Sequence, residues 1–287
     1  MFISDAVSRV GEWSIQRLVA ATGRRLRAGD EPWLDGPLGG AGAVGAGVYG
    51  RIAAERGLAV DVNPPGAGLL EHFDELAGPE CDPAVVHPEI RRFYERTGEY
   101  TMDAWVEWRG VMGAGARLLV ALVSPRMEQL NLPLTPLAAS RGITSDIVRL
   151  ADPATGRMAY AGWLRHVRAS RRVLYAGFYT PCTPPRAPGP CIKAVFPVPR
   201  GATTVILRPR SHPDGSFSLT THGSGWGDAG FYRLHGTAPA LRVRRFGVRE
   251  VLHNYVDADG VMRTDHTIRY MGQEFMRMHY KVTRRGR

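Results

Sequence analysis

The sequence predicts a mainly β protein, an antiparallel barrel or curled sandwich of about ten short strands behind a helical N-terminal extension. Three observations carry this. Beyond residue 140, β-prone runs alternate with turn signals about every 8–15 residues, and no long helical period separates them. The turns have a mechanism: in Asp152-Pro153-Ala154-Thr155-Gly156, Pro213-Asp214-Gly215 and Asp257-Ala258-Asp259-Gly260, Asp and Pro start tight turns and Gly accepts positive φ. Finally, a chain of 287 residues that is 44% hydrophobic and 22% charged has ordinary globular composition and can bury a sizeable core.

Each segment follows from its pattern. Residues 1–27 space Ile3, Val7, Val10, Trp13 (or Ser14) and Leu18 as one face of an amphipathic helix. Asp5 and Glu12 stand where a secretory signal would be basic and then apolar, so a cytoplasmic location is expected. Residues 28–50 are rich in Gly, Pro and Ala and read as a flexible connection. Gly45, Gly47 and Gly50 spell G-x-G-x-x-G, but no strand precedes them, which excludes a dinucleotide fold and leaves no cofactor implied. Tyr49 to Gly57 and Gly68 to Ala77 are short helical candidates. Pro88 opens a helix through Glu95 or Arg96, with Gly98 past its end. Tyr100 to Arg109 then alternates, with Tyr100, Met102, Ala104, Val106 and Trp108 on one face, the period of a half-buried strand. Leu118 to Val123 reads as part of an apolar helix; the surrounding run, Gly110 to Val123, carries Arg117 and is shorter than the roughly 18–20 residues of a membrane helix. Strands are then expected at Ile143–Leu150, Met158–Val167, Arg172–Phe178, Ile192–Val198, Thr203–Leu207, Ser216–Thr221, Phe231–Leu234, Leu241–Phe246, Val248–Val256, Arg263–Met271 and Phe275–Val282.

Charge invites a nucleic-acid reading, which its detail weakens. The net charge is +10, but only Lys193 and Lys281 among the 37 basic residues are lysine, a skew typical of GC-rich coding. There is no RNP signature, zinc-finger spacing or basic run, so no nucleic-acid partner is expected. Residues 1–85 hold 7 basic and 12 acidic side chains (net −5), and residues 86–287 hold 30 and 15 (net +15). An acidic extension over residues 1–85 lying on a basic domain over residues 86–287 follows. Cys81, Cys182 and Cys191 are too few for a disulfide framework and are expected as thiols.

His87 to Asp103 (HPEIRRFYERTGEYTMD), Ala176 to Pro199 and the Asp265-His266-Thr267 region resemble an uncharacterised, largely actinobacterial family. That resemblance spans about residues 86–283 and implies a calycin-like barrel, the broad lipocalin-type architecture. It transfers no activity and no catalytic residue.

Chemistry-bearing motifs are sparse. No G-x-S-x-G elbow, P-loop, H-E-x-x-H or C-x-x-C occurs. The last forty residues are the most informative. If Asp257 to Gly260 joins two strands with Val256 opposite Val261, then His253, Tyr255 and His266 share one face. A two-residue turn at Gly272-Gln273 adds His279 to that face. A three-residue turn puts Met276, Met278 and Tyr280 there instead. His253, Tyr255 and His266 are therefore the candidate catalytic residues for proton transfer, because imidazole titrates near neutral pH. A zinc or iron site from His253, His266 and His279 is the metal alternative, and separately hydrogen-bonded wall histidines are the plain one. Trp105, Trp108, Trp163 and Trp226 are expected in the core or at its mouth. The expected function is a soluble barrel that binds a hydrophobic small molecule of polyketide, terpenoid or lipid type. Acid–base cyclisation or isomerisation fits such a cavity, and a non-enzymatic carrier is the alternative.

Overall fold

In the computed structural model, which describes residues 13–27, 29–42, 44–115, 129, 143–167, 173–237 and 240–286, fourteen strands form one branched antiparallel sheet among the described residues. Residues 13–22 are helical (α1), followed by β1 (Arg24–Leu26), helix α2 (Val48–Arg56), β2 (Ala59–Val62), helix α3 (Pro88–Glu95) and β3 (Tyr100–Trp108). Then come β4 (Ile143–Ala151), β5 (Met158–Val167), β6 (Val173–Cys182), β7 (Cys191–Val198) and β8 (Gly201–Ser211). The chain continues through β9 (Phe217–Thr220), β10 (Gly230–Thr237), β11 (Ala240–Phe246), β12 (Val248–Val256), β13 (Met262–Tyr270) and β14 (Gln273–Arg284). Strands β4 to β14 fall where the turn spacing predicts them. Helix α3 begins at Pro88, whose missing N–H costs nothing in a first turn. The Leu118 to Val123 helix lies outside the described residues.

Hydrogen bonding runs β2-β4-β5-β6-β7-β8-β9-β12-β13-β14-β3. Strand β8 forks: residues 201–206 pair with β10, which continues to β11 and β1, while residues 208–211 pair with β9. The sheet curls, but hydrogen bonds do not close it into the expected barrel. The reason lies on β4. Its residues 148–151 are taken by β2, and Asn63 accepts from the Ile147 amide through Oδ1 and donates its own amide to the Ile147 carbonyl. No free ladder is left there for β3. The gap is bridged by Arg285, which donates to the Ser145 carbonyl at 3.1 Å.

The N-terminal segment is woven into this sheet, and the expected boundary at residue 85 does not divide the cores. Helix α1 ends at Gly23, whose amide donates to the Val19 carbonyl, so residues 24–26 leave the helix and pair with β11. Residues 28–50, expected as a loose connection, bury Trp33 and Leu34 on the outer face of the sheet, with Trp33 edge-on to Tyr232 at 5.2 Å. Helix α2 lays Tyr49 and Ile52 on the outer faces of β4 to β7, beside Leu150 and Phe178. Tyr49 lies so close to Gly162 that a Cβ there would stand 2.5 Å from the ring. Of Gly68 to Ala77, only Phe73–Leu76 is helical, as one tight 3-10 turn. Its Phe73 and Leu76 are fully buried at one end of the curled sheet, and Phe73 meets Phe217 edge-on at 5.0 Å. This aromatic plug, completed by Phe93 and Tyr94, belongs to the same core as Met262 and Val282 near the other end of the sequence.

Cys182 and Cys191 are directly opposed on β6 and β7, and all three cysteines are free. Burial pushes Cys182 up to about 11 and Cys191 up to about 12.

Two outcomes follow for folding. Deleting residues 1–85 is expected to abolish the cooperative thermal transition, and Phe73→Ala alone to cost about 3–5 kcal/mol in denaturant unfolding. An unchanged transition in the truncated chain would show that the plug is dispensable. Native Cys182 and Cys191 are expected to alkylate slowly at pH 8, because little thiolate is present, and to react fully once denatured without reductant. Failure of both to react when denatured would instead reveal a disulfide.

Candidate functional site

The last three strands decide which side chains face inward, and one turn decides their register. Asp257 and Val261 close a three-residue loop in which Gly260 takes φ 72°. The Asp257 carboxylate accepts from the amides of Asp259 and Val261 and from Arg263 Nε, at 3.1, 2.9 and 2.7 Å. Val256 therefore pairs with Met262 and not with Val261. That one-residue difference turns every partner over. His266 sits opposite Leu252, and His253 sits opposite Asp265. His253 and Tyr255 thus lie on the outer face, while His266 alone of the three candidates faces inward.

The β13–β14 turn uses Met271 and Gly272, both at positive φ, in place of Gly272-Gln273. A bulge after Ile268 then restores the other expected register, so Met276, Met278 and Tyr280 join His266 on the inner face. His279 lies outside, with Nδ1 2.7 Å from Asp265 Oδ1. The metal alternative fails on this geometry, since His266 points away from His253 and His279. Among the described residues no group of three His, Cys, Asp or Glu side chains could hold a metal ion.

Inside the curl lies a cavity of about 560 Å³. Its floor is the plug, through Leu69, Phe93 and Tyr94, and most of its wall is aliphatic or aromatic. Polar groups gather from β5, β6, β12, β13 and β14: Arg165, Tyr175, Tyr179, Glu250, His266 and Tyr280. Burial pushes the Tyr175, Tyr179 and Tyr280 phenols up, so all three remain neutral hydroxyls at physiological pH. The His266 ring stacks on Tyr280 with centroids 6.4 Å apart. Its Nε2 is 3.5 Å from Glu250 Oε2 and is buried without a hydrogen-bond partner. An imidazole so placed is within reach of a molecule in the cavity and has the chemistry to accept a proton from it.

Sequence patterning places Tyr280 inside in one of its two registers, but it does not single out Arg165, Glu250, Tyr175 or Tyr179. The available signal was parity. In Met158–Val167, Arg165 shares its face with Ala161 and Trp163, so an arginine occupies an otherwise apolar stripe. Trp163 and Trp108 line the cavity as expected of core or mouth residues; Trp226 packs outside against Trp33, and Trp105 is exposed beside His279.

On the outer face, His253 and Tyr255 stack at 5.6 Å beside a shallow polar groove that also holds His87, Asp214 and Asp265. Ser218 Oγ bridges His212 Nε2 at 2.8 Å and His253 Nδ1 at 3.1 Å. Burial, reinforced by His253, holds the His212 ring below its ordinary value.

No family model matches the chain, and no solved structure matches it significantly. Over 222 residues it is 26% identical to a Bacillus subtilis (strain 168) protein called "Uncharacterized membrane protein YndJ", covering 76% of this chain and 38% of that protein. The chain thus spans well under half the length of this relative. Among the described residues no helix is long and apolar enough to cross a membrane. The cytoplasmic location expected from the N-terminal residues is nonetheless overturned, because the chain's relative is named a membrane protein.

Proposed function

We propose that this chain is a calycin-like container that holds one hydrophobic small molecule, of polyketide, terpenoid or lipid type, inside its curled sheet. The observation that carries this reading is the cavity of about 560 Å³, apolar on most of its wall, with Leu69, Phe93 and Tyr94 at its floor. Its volume falls in the range of small-molecule sites, and a few polar groups on an apolar wall are the usual way such sites orient a ligand. The resemblance to calycin-like barrels favours the same use of the interior.

A second reading, proton transfer within the cavity, is favoured by the inward pair His266 and Glu250. A plain carrier needs no such pair. In cyclisation or isomerisation, His266 would move the proton and Tyr280, stacked on it, would steady the developing charge. Of the three residues proposed from sequence, only His266 keeps a role of this kind.

Binding is tested with N-phenyl-1-naphthylamine, a neutral apolar fluorophore that brightens out of water. Saturable enhancement at one probe per chain is expected, and Leu252→Trp, which fills the cavity from β12, should weaken it at least about tenfold with the thermal transition retained. Absence of saturable binding to the folded wild-type protein would overturn the container reading. For the second reading, native mass spectrometry of the purified protein supplies a co-purified molecule as the candidate substrate. With it, His266→Ala should lower turnover by about 10²–10⁴-fold while naphthylamine binding is unchanged. Equal turnover in that variant would exclude His266 from the chemistry.

A further inference from the structure

Arg165 is buried at 4% exposure, on a strand whose inner face is otherwise apolar, and its side chain lines the cavity. A bulge between β5 and β6 begins beside it: Arg165 still pairs with Tyr175, but His166 pairs with Val173. Aromatic rings surround the guanidinium, with Trp163, Tyr175 and Tyr280 at 5.4, 5.7 and 5.9 Å from its central carbon. Its polar neighbours are the Tyr175 and Tyr280 hydroxyls, which are neutral. Among the described residues no carboxylate forms an ion pair with it. Nε and Nη2 are buried without a hydrogen-bond partner, and so is the indole Nε1 of Trp163.

That arrangement is costly as it stands. A buried charge without a counter-ion sacrifices hydration and receives only ring quadrupoles and neutral tyrosine hydroxyls in return. The two unpartnered nitrogens are also the ones that share an edge of the guanidinium. Their N–H bonds run parallel, and this fork matches the two oxygens of a carboxylate. Glu250 does not fill the fork. Its carboxylate lies beside His266, and the Tyr280 ring packs against both His266 and Arg165.

Resting on the container reading above, we infer that the ligand is an amphiphile with a carboxylate head group, and that the Nε–Nη2 edge of Arg165 grips this head group while the apolar wall takes the chain. The site thereby gains the counter-ion that the fold itself withholds.

The test uses dodecanoate and dodecan-1-ol, below micelle-forming concentration at pH 8, each displacing N-phenyl-1-naphthylamine from the full-length protein. The wild type is expected to bind dodecanoate about ten- to a hundredfold more tightly than the alcohol, the scale of charge-assisted hydrogen bonds. Arg165→Met should remove that preference and keep the alcohol's affinity, with thermal stability unchanged or raised, because an unpaired buried charge has gone. Arg165→Lys, which lacks the fork, should retain only part of the preference. Equal affinity of the wild type for acid and alcohol would overturn the head-group inference and leave the container standing. So would a carboxylate preference that survives in Arg165→Met. If neither dodecyl compound displaces the fluorophore, the inference fails, and if the fluorophore itself does not bind, the container reading fails with it. Should Arg165→Met not fold, the wild-type comparison and Arg165→Lys decide alone.

Discussion

The Asp257 carboxylate holds the register on which the interior depends. By accepting three N–H groups at once it fixes a three-residue loop, and side chains along β13 then alternate with no further freedom. His266, Thr264 and Ile268 go inward, and Arg263 and Asp265 go out. Strand β14 inherits this choice through its ladder with β13, and β3 inherits it from β14. A one-residue change in that loop would set His253 and His266 on the same face.

Charge burial follows a pattern that Arg165 breaks. Lys193 is buried, which lowers its affinity for the proton, but its Nζ donates to the Asp35 carbonyl at 2.5 Å. Arg208 pairs with Asp228 at 2.6 Å, and Arg233 donates to the carbonyls of Ala202 and Leu234. Each of these cations has an oxygen built for it. Arg165 is surrounded by aromatic rings, and its Nε and Nη2 are buried without a hydrogen-bond partner. Among the described residues no carboxylate pairs with Arg165, and it is this group that the inferred ligand would complete.

The attachment of the N-terminal segment is apolar first and electrostatic second. The expected acidic-on-basic pairing does occur, in Glu71 with Arg149 and Glu80 with Arg210, at 3.1 and 3.2 Å. These are partly exposed pairs, and each contributes at most about 1 kcal/mol. Burying Tyr49, Ile52, Phe73 and Leu76 is worth about 1.5–3 kcal/mol for each side chain, so packing outweighs charge. The same packing shapes the interior, because the plug that anchors the segment is also the cavity floor.

Local chemistry sufficed for the strands. Period-two alternation, Asp/Gly and Pro turns and the Pro88 start are written in consecutive residues, so β4 to β14, β3 and α3 were legible from sequence alone. Strands β1 and β2 were not, because three or four residues become a strand only when a distant edge offers a ladder. Closure of the sheet was likewise undecided, since it turned on whether β2 and Asn63 or β3 would occupy the edge of β4. The inward direction of His266 was legible, but that of His253 and Tyr255 was not. Sequence restricts a hairpin to a few registers, and the choice among them rested on where one carboxylate found its amides. The grouping of Arg165, Tyr175, Glu250 and Tyr280 is still less local. Those residues come from four strands, and only the curl of the sheet brings them around one space.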